Sequence, residues 1–95
     1  MGLPFAELEW DERNEAHIAR HGVTSREVYE AVFDPGAIFR RVRKSRAPRY
    51  LLLGATSGGR RLSIVLEKRA SGAARIVTAR DMDANEKRQY RRRGR

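Results

Sequence analysis

The side chains able to do chemistry in this 95-residue chain are mostly cationic: 21 Lys and Arg stand against 12 Asp and Glu, a net charge of +9. Only Lys44, Lys68 and Lys87 are lysine, so the basic groups are overwhelmingly guanidinium. A guanidinium offers a planar fork of donors that matches phosphate oxygens and stacks on bases, which an ammonium does not. The partner this favours is a polyanion, and nucleic acid ahead of a membrane, because no amphipathic helix with an aromatic face accompanies the charge. Cysteine is absent, and no glycine-rich loop followed by Lys and Ser/Thr is present. His17 and His21 lie four apart, as a zinc pair could. With no third histidine and no thiolate to join them, no metal and no cofactor is expected.

A basic, metal-free domain can still cut RNA. The 2′-hydroxyl of the substrate attacks its own neighbouring phosphate, so the protein need not supply a nucleophile. It must supply a base for that hydroxyl, an acid for the departing 5′-oxygen and positive charge against the phosphorane. The candidates are His21, Arg61, Glu67, Arg75, Arg80 and Tyr90. Arg61, Arg75 and Arg80 would surround the phosphate. His21 or Glu67 would act as base, and Tyr90 or Arg80 would assist the leaving group. Each has a plainer reading. Arg61 can face solvent at a strand start, and Glu67 can be a cross-strand partner of Arg75 or Arg80. Arg80 can protect a sheet edge, and Tyr90 can anchor its helix. Glu86 reads as the N3 residue of a capping box, and His17 and His21 can be packing or hydrogen-bonding residues.

The elements that must position these groups follow from local patterns. Phe5 to Trp10 alternates loosely and reads as a short strand. Asp11 is a good N-cap for a helix over Glu12–His21, which Gly22 stops. Thr24-Ser25-Arg26-Glu27 is a capping box, with Val23 and Val28 placed as its hydrophobic staple, and that helix ends at Asp34-Pro35-Gly36. Thereafter the period changes. Ala37–Val42, Arg49–Gly54, Arg61–Arg69 and Ala74–Arg80 read as four strands of an antiparallel meander, separated by Arg43–Pro48, Ser57-Gly58-Gly59 and Ser71-Gly72. In the third of these, Leu62, Ile64 and Leu66 share one face, and Arg61, Ser63, Val65 and Glu67 share the other. Asp83-Ala84-Asn85-Glu86 is a second capping box, opening a helix over Lys87–Arg93 with almost no apolar face beyond Tyr90. That helix is expected to lie on the surface or to bind something acidic.

Together these predict one α+β domain over residues 1–95: a short N-terminal strand, two helices packed on a mainly antiparallel sheet, and a C-terminal helix, with 91–95 a frayed basic tail. A chain of this length buries only about 60–65% of the surface its unfolded form exposes, so one modest core is all it can build. No stretch reads as a secretion signal or a bilayer span, so a cytoplasmic protein is expected, with no membrane partner. Charge is divided along the chain. Residues 1–35 hold three basic and eight acidic residues, a net of −5, and residues 36–95 hold the remaining +14.

Read as a string, the chain resembles the BrnT family of type II toxins, relatives of the RelE and ParE toxins. The resemblance runs through Glu9-Trp10-Asp11, then Arg20-His21-Gly22-Val23, similar to the family's Lys-His-Gly-Val signature, and the capping-box helix closing on Val32-Phe33-Asp34-Pro35. It continues through Arg49-Tyr50-Leu51-Leu52-Leu53-Gly54 and Arg75-Ile76-Val77-Thr78-Ala79-Arg80 to a helix with Glu86, Arg88 and Tyr90. The resemblance implies a RelE/ParE-like fold and metal-independent endoribonuclease activity on an RNA substrate. It also implies neutralisation by a cognate antitoxin, BrnA-like and of the ribbon-helix-helix class, and operator DNA bound through the antitoxin complex, which represses its own operon. The family usually has asparagine at His17 and lysine at Arg20, and Arg91–Arg95 look like an extension. RelE-like folds also carry other activities, so the alternative is a non-catalytic nucleic-acid-binding or gyrase-inhibiting module.

Overall fold

A computed structural model describes residues 7–42 and 48–93. Phe5 and Ala6 of the expected first strand, residues 43–47 of the expected break and the last two residues of the expected tail lie outside them. The element order is β1 (Leu8–Glu9), α1 (Glu12–Ala19), α2 (Ser25–Val32), β2 (Ile38–Val42), β3 (Arg49–Ala55), β4 (Arg61–Lys68), β5 (Ala74–Asp81) and α3 (Ala84–Arg92). The strands form one sheet in the order β1-β5-β4-β3-β2. The four long strands make the antiparallel meander that the hairpin breaks predict. β1 is the exception, pairing parallel to β5 at the far edge. The architecture is therefore α+β, with a mixed, mainly antiparallel sheet.

Local chemistry explains each helix start. The Asp11 carboxylate accepts from the Asn14 amide at 2.8 Å. Thr24 and Glu27 close a reciprocal capping box, as do Asp83 and Glu86. Each such cap contributes on the order of 1 kcal/mol by satisfying amides that the helix leaves unpaired. α1 stops at Ala19, two residues before the sequence pattern suggests, and Gly22 takes φ 69°, a left-handed turn that a Cβ would disfavour.

The apolar stripes of α1 and α2 meet one face of the sheet. Ile18, Val23, Val28, Ala31 and Val32 pack on Leu52, Leu62, Ile64, Leu66, Ile76 and Ala79, all essentially inaccessible to solvent. Helix α2 approaches β3 so closely that a Cβ added to Gly54 would collide with the Ala31 carbonyl oxygen. β5 carries one residue more than β4 in the register, because Val65 pairs with Thr78 and Leu66 with Ile76. This bulge at Val77 keeps Ile76 and Ala79 both on the core face.

The second face is where α3 sits. Tyr90, 7% exposed, packs with Leu53 and Met82 against partly buried Ile38, Leu51 and Ala55. The helix lies on the surface, as its sparse apolar face leads one to expect, and Tyr90 anchors it. One aromatic and one buried carboxylate, Glu86, seat α3 on the sheet. Of the segment expected to fray, Arg91 and Arg92 are helical. Arg93 caps the helix, donating to the Tyr90 carbonyl at 2.7 Å and stacking 3.6 Å above the Tyr90 ring centroid.

Candidate active site

The site is built where the end of β5 turns into α3. Ser63 and Arg80 are directly paired across β4 and β5, on the face that α3 covers. The Glu86 carboxylate reaches back from the first turn of α3 into this corner. It accepts from Arg80 through both oxygens, at 2.8 and 3.0 Å, from the Ser63 hydroxyl at 3.0 Å and from the Asp83 amide at 2.9 Å. Burial pushes the Glu86 carboxyl pKa up, but the donors from Arg80, Asp83 and Ser63 outweigh it, and the net shift is downward. Glu86 is thus a fixed anion, and it in turn raises the Arg80 pKa through the fork of hydrogen bonds.

Arg80 keeps donors in reserve. Nη1 serves Glu86 and the Asp81 carbonyl, and Nη2 gives one hydrogen to Glu86. A guanidinium has five N–H groups, so Nε–H and one Nη2–H have no protein acceptor among the described residues. The side chain is 44% exposed. Arg61, at the start of β4, is exposed and has no ion pair among the described residues. It lines an open cleft with Gly59, Asp81 and Lys87.

Tyr90 lies one helical turn beyond Glu86. Its hydroxyl donates to Asp34, which also accepts from the amides of Gly36 and Ala55, each at 2.9 Å. Burial raises the Asp34 pKa, but the Tyr90 hydroxyl and the two amides outweigh that and lower it overall. Burial and the Asp34 carboxylate together push the Tyr90 phenol pKa up, and the charges of Arg93 and Arg61 oppose this only in part. The phenol therefore holds its proton.

The six candidates from the sequence do not form one cluster. Arg61, Arg80 and Tyr90 come together around α3. Glu67 and Arg75 are cross-strand neighbours at the other end of β4, six residues and roughly 20 Å of strand from Arg61. Their surroundings are a charge ladder. In register across β3, β4, β5 and β1 stand Arg49, Glu67, Arg75 and Glu9. Arg49 binds Glu67 at 3.2 Å, and Arg69 spans Glu67 and Glu9 at 3.8 and 3.5 Å. Glu67 is thus placed as the plainer reading has it, except that its ion pairs are with Arg49 and Arg69. His21 is exposed in the turn after α1, its ring 5.9 Å from that of His17.

Arg60, which sequence reasoning passed over, ties that turn to the site. All five of its donors are used: Nε and Nη2 on Asp81, Nη1 on Glu27 and the Gly22 carbonyl, and Nη2 on the His21 carbonyl. Asp81 lines the cleft, so the His21 backbone is one side chain away from its wall. Nothing in the string distinguishes Arg60 from its twenty basic companions. Asp34 was equally hidden, reading only as a helix-ending Asp-Pro-Gly.

Among the described residues, no group of three or more His, Cys, Asp or Glu could hold a metal ion, and no helix is long and apolar enough to cross a membrane. Fold and site together define a small, basic α+β domain in which Arg61 and Arg80 stand at one corner of the sheet beside α3. The family model for BrnT, the ribonuclease toxin of type II toxin–antitoxin systems, matches residues 10–86, and the chain belongs to that family. It is thus a ribonuclease toxin by family, with a cognate antitoxin as its partner. A search of curated proteins finds no match. The matched span includes His21, Arg61, Glu67, Arg75, Arg80 and Glu86, and stops before Tyr90.

Proposed function

We propose that this toxin is a metal-independent endoribonuclease that cleaves RNA by transesterification at the corner formed by Arg61, Arg80 and α3. The observation that carries the reading is Arg80. A buried carboxylate holds it by two hydrogen bonds, while two of its donors find no acceptor among the described residues. A guanidinium fixed in this way is preorganised for a phosphoryl oxygen, since no side-chain entropy is lost on binding. Arg61 and Lys87 add charge from the cleft.

In this mechanism the 2′-hydroxyl oxygen attacks phosphorus, and its proton passes to a base, for which His21 is the candidate because Arg60 ties its turn to Asp81 of the cleft wall. Imidazole is the side chain suited to that task in neutral water. The P–O5′ bond breaks, and Arg80 neutralises charge on the departing oxygen, which takes up a proton from solvent water while the protonated base returns its own to solvent. Products are a 2′,3′-cyclic phosphate and a 5′-hydroxyl. Tyr90, whose proton is committed to Asp34, positions α3 and with it Glu86 and Arg80. Growth inhibition follows from loss of RNA in the cytoplasm.

For the partner, we infer a BrnA-like antitoxin of the ribbon-helix-helix class, its complex binding operator DNA. The type II family supports this, as does the toxin's +9 charge, which an acidic antitoxin would neutralise. The test is purified toxin incubated with RNA in EDTA. Cyclic phosphate ends that disappear in Arg80→Ala are the expected result. Intact RNA after long incubation, with and without ribosomes, would overturn the reading. A neighbouring reading frame without a ribbon-helix-helix sequence would remove the partner assignment.

A further inference from the structure

The family match ends at Glu86, yet α3 continues for six residues, and four of the residues from 87 to 92 are cationic. Tyr90 and Glu86 face the sheet, which leaves Lys87, Arg88, Arg91 and Arg92 exposed. None of the four makes an ion pair among the described residues. They form two pairs one turn apart, Lys87 with Arg91 and Arg88 with Arg92, each pair separated by about 6 Å along the axis. Like charges at this spacing repel and destabilise an isolated helix by a few tenths of a kcal/mol per pair. Asp81, across the cleft, faces Lys87, but no ion pair among the described residues relieves Arg88, Arg91 and Arg92.

We propose that this face of α3 is a track for single-stranded RNA, holding phosphates beyond the scissile one. The inference rests on the cleft assigned above, because Lys87 belongs to both: it lines the cleft with Arg61 and begins the stripe. A strand whose phosphate lies at Arg80 and Arg61 is thereby led onto Arg88, Arg91 and Arg92. The occupant is a polyanion chain because the stripe is cationic on both flanks and has no apolar residue between its members. Binding there is independent of base sequence, since guanidinium contacts to phosphates carry no base information.

The experiment uses the full chain with Arg88, Arg91 and Arg92 changed together to Gln, a good helix former that leaves the cleft untouched. Affinity for a non-cleavable 2′-O-methyl dodecanucleotide is read against salt, and cleavage is read on tetra- and dodecanucleotides in EDTA. For the dodecanucleotide, KM is expected to rise at least about tenfold at unchanged kcat, and the log–log salt slope to fall by about 2, or 0.7 per phosphate lost. The tetranucleotide should be cut as before. The melting temperature should be equal or higher, because repulsion has been removed, which excludes unfolding as the cause. If wild type binds the dodecanucleotide with that salt slope but cuts nothing, the ribonuclease reading fails and the track stands. Unchanged RNA affinity and salt slope would overturn the track, and if antitoxin binding weakened at the same time, the stripe would be assigned to that protein.

Discussion

The hydroxyl of Tyr90 donates to the carboxylate of Asp34, 56 residues earlier in the chain, joining the last helix to the turn after α2. Because Asp34 also holds the amides of Gly36 and Ala55, one carboxylate fixes the start of the β2 segment, the end of β3 and α3 at once. Tyr90→Phe keeps the ring and its packing on Leu53 and Met82 but removes the donor. A loss of about 1.5–3 kcal/mol is expected in urea unfolding, the range for a hydrogen bond to a charged group. Cleavage should fall only modestly if Tyr90 positions the site without taking part in proton transfer.

Stability should depend on pH at both extremes. The pKa values of Asp34 and Glu86 are lowered by folding, so their contribution is present above the unfolded carboxylate values and is lost as pH falls through the folded ones. The Tyr90 pKa is raised, so its contribution is complete below the unfolded phenol value near 10 and is lost as pH rises beyond it. Melting temperature followed from pH 2 to pH 11 should show both declines, with the alkaline one absent in Tyr90→Phe.

Activity should separate the two ends of β4. Arg80→Lys retains charge but loses the fork that Glu86 grips, and a fall in kcat on the order of 10²-fold is expected. Glu67→Gln breaks a ladder of ion pairs distant from the cleft, and should leave kcat within about threefold, since the ladder shares no residue with the cleft. If Glu67→Gln abolished cleavage while Arg80→Lys preserved it, the reaction would have to be moved to the other end of the sheet.

Arg60→Lys offers a structural test. An ammonium has three donors where the guanidinium uses five, so the carbonyls of Gly22 and His21 and the carboxylates of Glu27 and Asp81 cannot all be served. A loss of about 1–3 kcal/mol is expected, together with faster amide exchange confined to residues 20–24.

Gly54→Ala should be costlier than an exposed glycine change. The new methyl would meet the backbone of α2, not a movable side chain, and a loss of about 2–3 kcal/mol is expected in urea unfolding. Gly58→Ala, where only the Thr56 hydroxyl oxygen at 3.9 Å comes near, is the control.

Much of the fold could be read from local chemistry, because its signals act over three or four residues. The caps at Asp11, Thr24 and Asp83, the staple around Val23 and Val28, and the alternation of Leu62, Ile64 and Leu66 each determine an element or a face without reference to anything distant. Arginine excess pointed to a phosphate chemistry for the same reason: it is a property of composition. What tertiary structure alone decided was which charges meet. Strand register sent Glu67 and Arg75 into a ladder with Arg49 and Glu9, and brought Ser63 opposite Arg80 where Glu86 could reach both. Asp34, Arg60 and Tyr90 acquire their roles from partners 21 to 56 residues away. No spacing in the string encodes such meetings, because they depend on how strands twist, bulge and pair once the core of α1, α2 and the sheet has closed.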